Sequence, residues 1–270
     1  MSHPPTAGRK AHWLGTDEVH VWMAAPDQFY QPELSSQYVS WLDEQERSRY
    51  DRFHFSQHRH EYLIAHALLR SSLSRYGGCA PAAWRFTTNA YGRPELATEQ
   101  GQPPLRFNLS HTTGLVACAI TRSADVGVDV ECIMRTGDLA TIADMSCAPE
   151  ELTELQPLSG AAWSQRFFNL WTLKEAYVKA QGQGLSIPLQ QVRFRLDARE
   201  TIQLDALPEP ASTPAWQFAL LQPTPQHCLA VAVSLDHLLQ VQFGWVVPGC
   251  EGHPMRFPYT STQDGVQRQD

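Results

Sequence analysis

Gly127-Val128-Asp129-Val130-Glu131 and, well downstream, Trp171-Thr172-Leu173-Lys174-Glu175-Ala176-Tyr177-Val178-Lys179 are the stretches on which the fold turns. The first alternates with the period of a strand, which sends Val128 and Val130 to one face and Asp129 and Glu131 to the other. The second lies within Phe167 to Gln181, where Phe168, Trp171, Leu173, Ala176, Tyr177 and Ala180 form the apolar surface of a helix that Gly182 and Gly184 end. Strands follow at Val192 to Leu196, Trp216 to Leu221 and Leu229 to Val233. One long helix among several short strands predicts an α+β unit.

The preceding half contains the same ingredients. Val19 to Met23 alternates like a strand, and Leu34 through Tyr76 is mostly helical, with Trp41, Leu42, Tyr50, Phe53, Tyr62, Leu63, Ala67 and Leu68 near helical spacing and Gly77-Gly78 as the stop. Trp84 to Thr87 is strand-like, Asn89-Ala90-Tyr91-Gly92-Arg93-Pro94 is a turn, Phe107 to Leu109 is extended, and Gly114 to Thr121 is a buried strand. Arg122-Ser123-Ala124-Asp125 then predicts a hairpin turn. The expected organisation is an N-terminal lobe over 1–123, a C-terminal lobe over 124–246 that carries the acidic motifs, and a loosely ordered tail over 247–270, rich in Gly, Pro, Thr and Gln.

Composition narrows the function. The chain has 270 residues and 43% apolar residues, enough for a sizeable core. Its net charge is −7, so nucleic acid is not expected as a partner. No apolar run approaches the ~20 residues of a bilayer span, so no membrane is expected. The opening MSHPPTAGRK lacks the charged and apolar regions of a secretion signal, which predicts a cytoplasmic protein. Six scattered cysteines without a C-x-x-C pair predict buried thiols rather than zinc ligands.

Four groups of residues carry candidate chemistry. Asp129 and Glu131 share one strand face, a pattern that suits a hard cation such as Mg²⁺ and equally suits the solvent face of an edge strand. Glu175 and Lys179, four apart on a helix, form either a plain ion pair or, with Lys174, a carboxylate beside cations able to meet phosphate. Asn108-Leu109-Ser110-His111-Thr112 offers polar groups for phosphate binding or for turn capping. Ser110 beside His111 is a poor nucleophile and base, since no G-x-S-x-G elbow surrounds it. Between Arg47 and Arg75 six arginines face two acids, an excess fit for phosphate or an acidic partner, or for a solvated helix face. The histidines there, 54, 58, 60 and 66, lack companion metal ligands.

In their order, Tyr91-Gly92-Arg93-Pro94, Asn108-Leu109-Ser110-His111, the Gly127 to Glu131 strand, the Trp171 to Lys179 helix and Gly182-Gln183-Gly184-Leu185 resemble the successive motifs of the 4′-phosphopantetheinyl transferases, in their longer, surfactin-synthetase-activating form. The resemblance covers about residues 45–190. It implies a two-lobed monomer in which each lobe packs a long helix on a small, mainly antiparallel sheet, the lobes being related by a pseudo-twofold. It further implies transfer of the phosphopantetheine arm of coenzyme A to a serine of an apo acyl or peptidyl carrier protein, as in fatty acid, polyketide or peptide synthesis, with release of adenosine 3′,5′-bisphosphate. On this resemblance Asp129, Glu131 and Glu175 hold Mg²⁺ (or Mn²⁺), Glu175 or a metal-bound water is the candidate base, and Lys179 neutralises the pyrophosphate or the leaving group. His111, Ser110, Asn108, Arg93 and Arg49 address the nucleotide, with Thr88 and Asn89 beside the adenine. The family often has lysine where this chain has Arg49 and Arg93, and the two cations hold phosphate with different geometry.

Overall fold

The computed structural model describes residues 14–97, 104–184, 187–196, 201–206, 215–236 and 239–262. Leu185, the opening decapeptide and the last residues of the expected tail, 263–270, lie outside them.

The first half contains β1 (Glu18–Ala24), helices α1 (Pro32–Trp41), α2 (Glu44–Asp51) and α3 (Ser56–Gly77), and strands β2 (Phe86–Thr88), β3 (Pro94–Leu96), β4 (Arg106–Thr112) and β5 (Leu115–Thr121). The helical region expected from Leu34 to Tyr76 is thus three helices. Asp43 caps α2, accepting from the Glu46 amide at 2.9 Å while Glu46 accepts from the Asp43 amide at 3.0 Å, and the extended Phe55 starts α3 afresh. Gly78, at φ +69°, ends α3 in the left-handed conformation that glycine adopts without strain.

The second half contains β6 (Val126–Cys132), α4 (Leu139–Ser146), α5 (Pro149–Leu155), α6 (Gly160–Gln181), β7 (Arg193–Leu196), β8 (Ile202–Ala206), β9 (Trp216–Thr224) and β10 (His227–Ser234). The chain ends with β11 (Gln240–Trp245), β12 (His253–Met255) and β13 (Thr260–Ser261). Two larger sheets result, in the orders β12-β11-β1-β5-β4 and β13-β9-β10-β6, beside the small pairs β2-β3 and β7-β8.

Strand alternation explains how these pieces stack. Val19, Val21, Met23, Leu115, Ala117 and Ala119 of the first sheet meet Val126, Val128, Val130, Leu229, Val231 and Val233 of the second in one buried layer. The opposite faces carry Trp22, Val116, Cys118 and Ile120 against Leu63, Ala67 and Leu68 of α3, and Cys228, Ala230 and Ala232 against Phe168, Leu173 and Ala176 of α6. The order of layers is helix, sheet, sheet, helix, in the α+β class. Helices α3 and α6 each span 22 residues and each lies on the outer face of its own sheet.

Two expectations are corrected. Residues 122–125 are not a hairpin turn within one sheet: β5 and β6 belong to different sheets, and the chain crosses between them. Residues 240–246, expected in the second lobe, place β11 parallel to β1 in the first sheet, and residues 247–262, expected as a tail, add β12 to β11 and β13 to β9. The physical reason is an open strand edge: β1 has its outer hydrogen-bonding groups free for a partner, and the alternating Val241, Phe243 and Trp245 supply one. Phe257 and Tyr259 of the supposed tail then pack on Phe243.

Candidate active site

Helix α6 approaches β6 closely because Gly127 has no side chain. A Cβ at Gly127 would overlap Ala176 O and stand 2.5 Å from Ala180 N. On the same strand face, two and four residues on, Asp129 and Glu131 therefore lie directly beneath the helix, as the alternation predicts. Trp171, Glu175 and Lys179 recur at four-residue intervals along α6 and face them. Lys179 Nζ donates to Asp129 Oδ1 at 2.6 Å, and Trp171 Nε1 donates to Glu131 Oε1 at 3.2 Å.

The carboxylates feel one another. Burial, then the charge of Asp129, pushes Glu131 up to about 6, with Arg135 and Lys179 acting in the opposite direction. Glu175 is raised for the same two reasons, in the same order. Asp129 Oδ2 is buried and has no hydrogen-bond donor among the described residues.

Among those residues no group of three or more histidines, cysteines or acids is arranged to hold a metal ion; the positive charge at Asp129 is that of Lys179. The chemistry of the set nevertheless fits a hard cation. One buried carboxylate oxygen lacks a partner, and two neighbouring carboxyls are raised by burial and mutual repulsion, a cost that an oxygen-seeking divalent ion would relieve.

Strand β4 completes the floor. Its side chains at alternate positions take the place of a backbone ladder against the open edge of β6: Asn108 Oδ1 accepts from Val128 N at 2.9 Å, Ser110 Oγ from Val130 N at 3.3 Å, and Thr112 Oγ1 from Cys132 N at 3.3 Å. Ser110 Oγ also donates to Asp129 Oδ1 at 3.1 Å and accepts from Lys179 Nζ at 3.0 Å, so its hydrogen-bonding capacity is full. Asn108 and Ser110, expected at the nucleotide, join the two sheets here. Polar residues at every second position of a strand are the signal for this seam.

His111 faces the other way and is exposed. Its pKa is lowered first by partial loss of solvent around the ring and then by the charges of Lys179, His66 and Arg49, with Glu61 opposing. Exposed Arg49 lies 5.6 Å over the Tyr62 ring, whose neighbour His66 is held to Glu46 at 2.7 Å. Arg49, Lys179, His66 and the acid Glu61 thus lie within electrostatic reach of His111. Thr88 is exposed at the end of β2, before the turn that contains Asn89 and Arg93.

The structure places three residues otherwise than the sequence suggests. Asn89 Nδ2 donates to Gly182 O at 2.9 Å, and Arg93 donates to Ala180 O at 2.7 Å and Val126 O at 3.1 Å, so both side chains are engaged at the end of α6 or the start of β6, while Arg93 Nη1 lies 3.9 Å from Asp125 Oδ1 and its Nε is buried without a hydrogen-bond partner among the described residues. Lys174, expected among cations that meet phosphate, is wholly buried and pairs with Glu151 at 2.6 Å, donating also to Leu189 O and Val192 O. Helical spacing puts Lys174 beside Leu170 and Tyr177 on the core face of α6, where no ligand reaches. Beside Trp171, an apolar groove of about 320 Å³ is lined by Arg135, Leu139, Ile142, Met145, Phe167 and Phe168.

Fold and site together define a two-sheet α+β protein that sets the acidic strand residues Asp129 and Glu131 under a helix carrying Glu175 and Lys179. Residues 125–232 match the 4′-phosphopantetheinyl transferase superfamily, and residues 22–123 match the 4′-phosphopantetheinyl transferase, N-terminal family. The 4′-phosphopantetheinyl transferase HetI of Nostoc sp. is 34% identical over 233 residues, covering 86% of this chain and 91% of that protein. The 4′-phosphopantetheinyl transferase Sfp of Bacillus subtilis is 30% identical over 175 residues, covering 64% and 75% respectively. The chain belongs to the 4′-phosphopantetheinyl transferase superfamily and is a transferase.

Proposed function

We propose that this enzyme transfers the 4′-phosphopantetheine arm of coenzyme A to a serine of an apo acyl or peptidyl carrier protein, with Mg²⁺ or Mn²⁺, and releases adenosine 3′,5′-bisphosphate. The observation that carries this reading is the gathering of Asp129, Glu131, Glu175 and Lys179 between β6 and α6, with Asp129 Oδ2 buried and without a partner among the described residues. Asp129, Glu131 and Glu175 would hold the cation, which supplies charge neutralisation at the pyrophosphate. Arg49, through its charge, and His111, as a hydrogen-bonding imidazole, bind the nucleotide phosphates. Lys179, at the rim of the site, meets the pyrophosphate and steadies the charge that develops on the leaving bisphosphate.

The nucleophile is the carrier's own serine, which agrees with the full hydrogen bonding of Ser110, the hydroxyl beside Asp129. The serine proton passes to Glu175 or to a water in the site. The carrier docks over residues 132–165, where Met134 and Met145 are exposed beside the apolar groove. The enzyme works as a monomer in this account. Incubation with coenzyme A, Mg²⁺ and an apo carrier protein tests it: the carrier gains the mass of one phosphopantetheine group, whereas coenzyme A binding without that gain contradicts the proposal.

A further inference from the structure

Arg93 lies where the first half of the chain meets the second. Its turn, between β2 and β3, belongs to the first half, yet its guanidinium donates from Nη1 to Ala180 O at 2.7 Å and from Nη2 to Val126 O at 3.1 Å, both in the second. The turn is itself pinned, because Asn89 Oδ1 accepts from the Tyr91 and Arg93 amides at 2.9 Å while Asn89 Nδ2 donates to Gly182 O at 2.9 Å. Ala180 and Gly182 stand at the C-terminus of α6, where carbonyls lack helical partners and the helix dipole is negative, a setting that favours a guanidinium. Gly182 caps the helix at φ +67°, and a Cβ there would stand 2.8 Å from Arg93 Cδ, so the arginine stem fills that space. Only 9% of the Arg93 side chain is exposed. Little of it is left to meet a ligand.

Val126 and Ala180 flank the point where Gly127 lets helix and strand touch. A single guanidinium therefore ties the strand that carries Asp129 to the helix that carries Glu175 and Lys179. We propose that Arg93 is a positioning residue that fixes α6 in register over β6, and that it does not bind the 3′-phosphate of the nucleotide. This inference rests on the function proposed above.

Arg93→Lys in the full chain tests it, because lysine keeps the charge but offers its donors from a single nitrogen, without the rigid planar fork whose two ends reach Ala180 O and Val126 O. Transfer kinetics are measured with coenzyme A and with 3′-dephospho-coenzyme A, together with hydrogen exchange of the Gly182 amide, which is bonded to Val178 O at 3.1 Å. A positioning role predicts a kcat lower by about tenfold or more with both substrates, an unchanged preference for the 3′-phosphate, and faster exchange at Gly182. A retained kcat with a raised KM for coenzyme A and a lost preference for the 3′-phosphate would overturn it, as would kinetics and exchange equal to those of the unaltered protein. Arg93→Met is expected to show the same pattern more strongly; if it does not fold, Arg93→Lys decides alone. Failure of the unaltered enzyme to modify any carrier would count against the proposed function, while the exchange measurement would still decide the role of Arg93.

Discussion

Lys179 Nζ lies 2.6 Å from Asp129 Oδ1, so the basic end of the α6 motif is joined directly to the acidic face of the β6 motif. Ser110 holds both partners, at 3.0 Å and 3.1 Å, from the neighbouring sheet. Strand, helix and seam thus meet at one ion pair.

Removal of Lys179 leaves a buried carboxylate without its cation. Lys179→Met is expected to destabilise the cation-free protein by about 1–3 kcal/mol, less than for a fully buried pair because Lys179 is partly exposed. It should also abolish transfer. Urea unfolding and carrier modification check both, and a variant with unchanged stability and activity contradicts the pairing.

Gly127→Ala tests the close approach of α6. The added Cβ would collide with helix backbone at Ala176 and Ala180, which cannot move without lifting the helix. The expected loss is about 2–4 kcal/mol of stability together with most of the activity. An unchanged denaturation midpoint would show that the helix sits further from the strand than described.

The buried pair Lys174–Glu151 predicts a purely structural effect. Glu151 also accepts from Ala148 N at 2.7 Å and from Phe194 N at 2.8 Å, so it links α5, α6 and β7. Truncation of either partner leaves the other charged and dry, at a cost of about 3–5 kcal/mol. Lys174→Met should lower the denaturation midpoint steeply while any folded fraction keeps its KM for coenzyme A. A selective rise in that KM would return Lys174 to the phosphate site.

Acid should weaken the first half through Glu46. Burial alone would raise its carboxyl, but hydrogen bonds from His66 and Arg70 outweigh burial and hold it at about 2. A folded-state value below the unfolded one means stability present above about pH 4.5 and lost as pH falls toward 2, a contribution of roughly 3 kcal/mol. Glu46→Gln should be less stable at neutral pH and should lose much of this acid dependence. Denaturation curves from pH 5 to 2.5 measure it, and parallel curves for the two proteins would contradict the assignment.

Much of this arrangement was legible because alternation and helical spacing report local burial directly. Val128 and Val130 against Asp129 and Glu131 defined β6, and Trp171, Glu175 and Lys179 defined one line along α6. The same signals conceal which sheet a strand joins. Nothing in Arg122 to Asp125 distinguishes a hairpin from a crossing between sheets, and the pairing of β11 with β1 depends on an edge more than two hundred residues away. Composition misled at 247–262, where a few apolar residues, Phe257 and Tyr259 among them, outweigh the surrounding Gly and Pro. Charge misled at Lys174, because a basic residue beside an acidic one suggests a ligand until its partner, Glu151, is seen.

The central claim is that Asp129, Glu131 and Glu175 act together on one divalent ion, and it is most directly tested by titrating Mn²⁺ into the coenzyme A complex and reading bound ion by electron paramagnetic resonance. The account predicts one tightly held ion, with affinity lowered about tenfold or more in each of Asp129→Asn, Glu131→Gln and Glu175→Gln. Unchanged Mn²⁺ affinity in Glu175→Gln, with the fold intact by circular dichroism, would contradict it.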